Sequence, residues 1–277
     1  MFLMNMKEIL HLLAGKYHTV IVTRTPENKR RILAFGLENG MGIDGCATTH
    51  EPQEVRIPQL RETELDFVVC KYNTNIAVDC KNRLFVWGED LNNVRLRKPR
   101  LVHQFASRVR QVALGRRHGI VTTLDNGLFG WGDGTYGELG LSEGLPAAVP
   151  VELPFFQGMW VEQVAAGARH SLVLDSLGNI FAMGDNSEDQ CAISGRRASH
   201  PEKILKDFRA MQIYSGESHN VAVADDKAVY SWGGATINSS WAQQSTTESK
   251  LRLMEDLKRR KISLIELSYA NTVVITG

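Results

Sequence analysis

The chain has 277 residues, a net charge of +1 and 43% hydrophobic residues, so it can fill a core but offers no global charge to draw nucleic acid or a membrane surface. No apolar run approaches the ~18 residues of a membrane span. Its four cysteines, Cys46, Cys70, Cys80 and Cys191, have no C-x-x-C spacing and read as buried free thiols in a reducing compartment rather than as disulfides or metal ligands.

Residues 1–13 are apolar in flavour but carry Lys7, Glu8 and His11 and no small-residue cleavage site, which argues against a secretory signal. Ile9, Leu10, Leu12 and Leu13 predict a lead-in strand or a short helix. Gly15-Lys16-Tyr17-His18 then opens an apolar, β-branched run to Val22, a strand buried on at least one face. A tip, Thr25-Pro26-Glu27-Asn28-Lys29-Arg30-Arg31, turns it into Ile32-Leu33-Ala34-Phe35-Gly36. The connection that follows is acidic, with Glu54, Glu62 and Glu64 in residues 51–66.

The same sentence then recurs. Lys71-Tyr72-Asn73-Thr74 keeps the strand but not the Gly and His, and Leu84-Phe85-Val86-Trp87-Gly88 is its partner strand. The fullest copy is 109–141: Gly115 and His118, an apolar run to Leu124, the hairpin signal Asp125-Asn126-Gly127, the partner strand Leu128–Gly132, and a Gly-rich tail anchored by Leu139 and Leu141. Further copies carry Gly167–His170 with Gly184 and Gly216–His219 with Gly233; a last half-copy leads into Thr272-Val273-Val274-Ile275. Between them, Ser245 and Glu248 fit a capping box, and Leu251, Met254 and Leu257 with Lys258 to Lys261 predict a short amphipathic helix over about 245–261.

The terminal glycines stand 52, 44, 52 and 49 residues apart. A period near fifty with about four short strands per unit predicts an all-β fold, a β-propeller of about six four-stranded blades, five being the alternative. The expected layout is a single propeller domain over 1–277, with repeats near 12–60, 66–105, 109–155, 161–205 and 211–238, a half-repeat at 262–277 and the helical insertion. Closing a ring would require either that the half-repeat borrow N-terminal residues or that the native chain run past Gly277.

His18, His118, His170 and His219 fall at one position in successive copies, about fifty residues apart, so a repeated scaffold role is expected rather than a metal cage. Trp87, Trp131, Trp232, Phe35 and Met183 read as inter-blade packing. No nucleophile elbow, zincin, P-loop or paired-carboxylate motif stands in a suitable context, which leaves no catalytic residues, metal site, cofactor or small-molecule substrate to name. Function is expected in loops where the copies differ.

Four departures stand out. The first copy spans 18 residues from His18 to Gly36 against 14 in the others, so its tip, with Lys29 and Arg30, is either a partner-binding finger or a tolerated insertion. From Leu91 to Leu124 there is no Asp or Glu, while Arg95, Arg97, Lys98, Arg100, Arg108, Arg110, Arg116 and Arg117 supply eight cations. Such a block suits an acidic protein surface or phosphates, or is a solvated basic face; nucleic acid ranks lower without a basic tail or interleaved aromatic platform. Third, the loop Glu89-Asp90-Leu91-Asn92-Asn93 abandons the G-x-L-G tail. Fourth is the insertion before the last half-copy.

The doublet of G-x-x-H with an apolar strand, an Asp-x-Gly-like turn, V-Y-x-W-G and G-x-L-G resembles the repeat of the regulator of chromosome condensation family, over roughly residues 12–277. The resemblance implies a propeller and protein partners. The founding member is the nuclear guanine-nucleotide exchange factor for the GTPase Ran; others act on other small GTPases, inhibit β-lactamases, serve as adaptors, or are injected into host cells by intracellular bacteria to activate Ran. This chain looks most like the last group, which implies a small GTPase, Ran first, as partner. It also implies a cytoplasmic site of action, the host cytosol for a secreted effector, with the nucleus as alternative. In the Ran exchange factor an Asp-Asn-Asn run after one W-G serves exchange; Asp90, Asn92 and Asn93 imitate it with Leu91 interposed, the alternative being a divergent loop of Asx turns. An interaction propeller without exchange activity, adaptor or inhibitor, is the rival reading.

Overall fold

The computed structural model describes residues 8–43, 48–61, 64–141, 144–234, 251–257, 260, 262–267 and 272–276. The apolar runs become antiparallel strands, and these form five four-stranded sheets and one two-stranded sheet. The first sheet holds β1 (Glu8–Ala14), β2 (His18–Arg24), β3 (Arg30–Gly36) and β4 (Thr49–Glu54); the second holds β5 (Leu65–Lys71), β6 (Thr74–Asp79), β7 (Arg83–Glu89) and β8 (Arg95–Gln104). The third is β9 (Val109–Leu114), β10 (His118–Thr123), β11 (Leu128–Gly132) and β12 (Ala147–Glu152), and the fourth β13 (Val161–Ala166), β14 (His170–Asp175), β15 (Ile180–Asp185) and β16 (Arg197–Ile204). The fifth is β17 (Ala210–Ser215), β18 (His219–Ala224), β19 (Val229–Gly233) and β20 (Arg252–Leu253), and β21 (Ile262–Leu267) pairs with β22 (Thr272–Thr276). The repeating unit is therefore a propeller blade, and the lead-in of the chain is a strand, β1.

The burial of each strand follows its place in the blade. β6, β10, β14 and β18 are buried at every residue, because their sheets are covered on both faces, and this is why they read as continuous apolar runs. β8 is the edge strand of its blade and mostly exposed; its charges and Pro99 suit an edge that must not pair further. The hairpin tips are set by Asx side chains. Asp79 Oδ1 accepts the Lys81 and Arg83 amides at 3.0 and 2.9 Å, and Asp175 Oδ1 those of Leu177 and Asn179 at 2.9 and 2.8 Å. In the Asp125-Asn126-Gly127 tip it is Asn126 that takes the left-handed conformation, at φ 69°.

The chain divides into two compact units, residues 1–110 with 123–125 and residues 111–122 with 126–277. In the first unit Val20, Ile32 and Ala34 of blade one pack with Val68, Phe85 and Trp87 of blade two. The short helix α1 (Glu38–Met41) ends at Gly42, φ 63°, where a Cβ would lie 2.1 Å from Trp87 Cδ1; the backbone can lie flat on the indole only as glycine. In the second unit Leu172, Ile180 and Ala182 pack with Ile213, Ala222 and Trp232, and Val221, Val229 and Leu257 with Ile265 of the two-stranded sheet.

The expected helix over 245–261 is not what the described part of that segment forms. Arg252–Leu253 is β20, paired with β19 through Tyr230↔Leu253 and Ser231↔Arg252, and Glu255–Leu257 is a single 3-10 turn. The fifth blade needed a fourth strand, and satisfying the open edge of β19 outweighs helical periodicity in so short a stretch. The fifth repeat thus reaches Leu253, not 238. Ser245 and Glu248 lie outside the described residues.

Candidate functional site

The recurring G-x-x-H is a structural joint. In each copy the glycine amide donates to the carbonyl of its histidine, Gly15 to His18, Gly115 to His118 and Gly216 to His219 at 2.8 Å and Gly167 to His170 at 2.9 Å. The turn lays the imidazole on the glycine, so that a Cβ at Gly15, Gly115, Gly167 or Gly216 would fall 2.0 to 2.3 Å from the ring's Cε1. The ring then reaches into the next blade. Nε2 of His18 donates to Asn75 Oδ1 and that of His170 to Asn220 Oδ1, both at 2.7 Å; His118 Nε2 meets Ser171 Oγ at 2.9 Å and His219 Nε2 meets Thr272 Oγ1 at 3.1 Å. Burial holds the His18 imidazole below its ordinary range, against the Asn75 hydrogen bond. Thr74, which replaces the histidine in blade two, donates instead to Glu89 O at 2.6 Å, and Lys71 replaces the glycine there because no imidazole needs the space.

The Asp90 loop is built inward. Asp90 is 7% exposed, its Oδ1 accepts the Asn92 and Val94 amides at 2.9 and 2.8 Å, and its Oδ2 pairs with Arg100 at 3.2 Å. These are the i+2 and i+4 contacts that Asp79 and Asp175 make in ordinary hairpins. Leu91 is buried at 2% and anchors the loop, Asn93 takes φ 61°, and Asn92 and Asn93 are exposed. The structure thus forms the Asx turn, with Asn92 and Asn93 as the side chains presented to solvent.

The basic block is distributed. Arg95, Arg97, Lys98 and Arg100 lie on the edge strand β8, where Arg95 pairs with Glu38 and Arg100 with Asp90, while Arg108 pairs with Asp66 at 3.1 Å. Arg116 and Arg117 belong to the second unit, in the turn between β9 and β10, with Arg116 4.0 Å from Glu217 and Arg117 3.3 Å from Asp133. Among the described residues at least five of the eight cations therefore face a carboxylate, and the block presents less positive charge than its sequence suggests.

The long first hairpin borders a groove of about 1140 Å³ in the first unit, floored by Ile32, Val55, Ile57 and Leu65 and flanked by Lys29, Arg31, Arg56 and Lys81. Arg30 is committed to the scaffold: its Nη1 donates to Leu65 O at 2.8 Å and to Asp66 O. Lys29 is exposed at the tip. Of the cysteines expected to be buried thiols, Cys191 is buried and Cys70 partly so, but Cys80 is exposed at the turn after β6 and lines the same groove; none of the three is in a disulfide, and Cys46 lies outside the described residues. Burial pushes the Cys70 thiol up to about 12, so the sulfur, 3.4 Å from His18 Nε2, stays protonated and is no nucleophile.

Sequence reasoning missed a third feature, in the second unit. Arg169 stands over the Tyr136 ring, 4.6 Å from its centroid, and is exposed. It occupies in Gly167–His170 the place Arg117 holds in Gly115–His118; that register was legible, but the meeting with Tyr136 was not. Beneath it Glu138 is 2% exposed, and burial raises its carboxyl to about 7 despite the Tyr136 amide on Oε2. Among the described residues no three His, Cys, Asp or Glu side chains gather as metal ligands, and no helix is long and apolar enough to cross a membrane.

The regulator of chromosome condensation (RCC1) repeat models match residues 125–174 and, in a second form, 109–138 and 161–190. The human "Probable E3 ubiquitin-protein ligase HERC6" is 26% identical over 244 residues, covering 82% of this chain but 23% of that protein. Prp20p of Saccharomyces cerevisiae, described with its binding to Gsp1p and histones, is similar in structure with a TM-score of 0.81 at 21% identity, over 97% of this chain and 68% of that one. Human WBSCR16 has a TM-score of 0.80 at 18% identity, over 98% and 74%. The fold is that of these propellers, and the chain spans only a minor part of the ligase it matches.

Proposed function

From the premise that this chain is a member of the RCC1 repeat family, we propose that it is a small-GTPase-binding propeller that promotes guanine-nucleotide exchange, with Ran as the first GTPase to test. The observation that carries the reading is the likeness over almost the whole chain to Prp20p, which binds Gsp1p, together with the family's founding activity. Exchange needs no covalent catalyst. It needs a surface that holds the nucleotide-free GTPase more tightly than the loaded one, and that differential affinity is the entire driving force.

The exposed Asn92 and Asn93, the free end of the Lys29 hairpin and the arginines of β8 are the contacts we assign, with Asp90 positioning its loop rather than touching the partner. Release of fluorescent GDP from purified Ran, with other small GTPases as controls, tests the reading; acceleration confined to Ran supports it, and none on any GTPase overturns it. The inward-turned carboxylate of Asp90 favours one alternative, an adaptor or inhibitor propeller. Such a protein would bind its partner equally in nucleotide-free, GDP and GTP forms.

A further inference from the structure

Three consecutive G-x-x-H turns of the second unit are locked side by side by their backbones: Arg116 N–H donates to Ala168 O at 3.1 Å, and Ala168 N–H to Glu217 O at 2.8 Å. This brings the side chains of neighbouring blades to one rim. The loop Asp133-Gly134-Thr135-Tyr136 lies against it and is held by three guanidiniums. Arg117 pairs with Asp133 at 3.3 Å, Arg197 donates to Thr135 O at 3.1 Å, and Arg169 stacks on Tyr136 with its centre 4.6 Å from the ring centroid.

Arg169 differs from the others in what it leaves unused. Its partner is a ring face, which takes none of its five N–H donors, and among the described residues no acceptor meets them. A guanidinium held over an aromatic ring has already given up part of its side-chain freedom, so less is lost when its fork closes on a planar anion. Arg116, Arg117 and Arg197 are also exposed, and the cluster's four cations outnumber Asp133, Glu217 and the buried Glu138 beside them.

We propose that Arg169, presented on Tyr136 and flanked by Arg116 and Arg117, is a docking site for carboxylate side chains of an acidic segment on a protein partner. The site rests on the reading of this chain as a protein-binding propeller and not on which protein it binds. Spaced carboxylates fit it better than a nucleic acid does. Arg169 occupies a face of the Tyr136 ring on which a base would otherwise stack, and Asp133 and Glu217 interrupt the cations that a continuous phosphate backbone would track.

The test is fluorescence anisotropy of a fluorescein-labelled peptide of alternating Glu and Gly, titrated with the full chain at low salt. Arg169→Ala should weaken binding at least about tenfold, whereas Lys206→Ala, which removes an exposed cation from the turn after β16, should change it less than about twofold. Arg169→Lys keeps the charge but loses the fork and should behave nearly as Arg169→Ala. Thermal unfolding of each variant shows whether the propeller stays folded, and should Arg169→Ala unfold, Arg169→Lys carries the comparison. Equal affinity for wild type and Arg169→Lys, equal loss in Lys206→Ala, or tighter binding of a labelled single-stranded oligonucleotide would overturn the proposal. If wild type binds the peptide through Arg169 yet accelerates GDP release from no GTPase, the exchange reading fails while this site stands.

Discussion

His170 Nε2 and Asn220 Oδ1 meet at 2.7 Å across two successive blades, both residues fully buried, with the Asn220 amide donating onward to Gln190 O at 2.8 Å. The pair turns a tandem repeat into a packed stack: four copies carry the histidine in their turn, and the blade that follows each sets Asn75, Ser171, Asn220 or Thr272 against it, one residue past the matching position of its own turn.

Removing that donor should be costly. His170→Ala leaves Asn220 Oδ1 buried with less hydrogen bonding and opens a cavity over Gly167, so urea unfolding should show a loss of about 2–4 kcal/mol. A double-mutant cycle with Asn220→Ala should give a coupling of about 1 kcal/mol or more. Additive losses would mean that the two side chains act independently.

Glu138 sets a pH dependence of opposite sign to the usual carboxylate. Its ordinary value is 4.5 and burial raises it to about 7 in the folded chain, so the folded state holds a proton that the unfolded chain has released. Its contribution is favourable below the unfolded value and is lost as pH rises through the folded one. Glu138→Gln should therefore stabilise the protein at pH 8 by about 1–3 kcal/mol and change little at pH 4. Gln190, which receives the Glu188 amide at 2.7 Å as Glu138 receives that of Tyr136, shows that the amide fits this position. Parallel denaturation curves at the two pH values check it.

At the candidate exchange loop, Asp90→Ala and Asp90→Asn should separate. Asn keeps an oxygen for the Asn92 and Val94 amides, whereas Ala loses the turn and about 1–2 kcal/mol with it. If the residue positions its loop, exchange should survive in Asp90→Asn and fall several-fold in Asp90→Ala. A collapse of exchange in both variants would instead make the carboxylate itself a partner contact.

Gly42→Ala should be destabilising by about 2 kcal/mol or more, since the new Cβ meets the Trp87 indole and φ is 63°. Thermal unfolding reads the effect directly. An unchanged melting temperature would show that α1 can lift off Trp87 without consequence.

The blades were legible in the sequence to within a few residues, because a buried β-strand needs a run of apolar residues and its hairpin needs Asx or Gly in left-handed backbone, and both are local demands. His118 and Gly115 likewise announced a joint. Reading residues 251–257 as helix failed because periodicity in a short segment carries less energy than the open edge of β19, a feature visible only once the sheet exists. The basic block misled for a related reason: Arg95, Arg100 and Arg108 find Glu38, Asp90 and Asp66, which are 57, 10 and 42 positions away in sequence.

The sequence by itself determined that this protein is an all-β stack of repeats whose histidines and tryptophans serve the scaffold, since strand, turn and repeat period are encoded within each fifty-residue copy. Only the tertiary structure decided which loop residues remain available to a partner. Burial and the Arg100 pair within blade two turned Asp90 inward, contacts with blade two turned Arg30 inward, Asn92, Asn93 and Lys29 stayed at the surface, and Arg169 was set on Tyr136 of the preceding blade. Those outcomes depend on distances between strands and between copies, which no single strand contains.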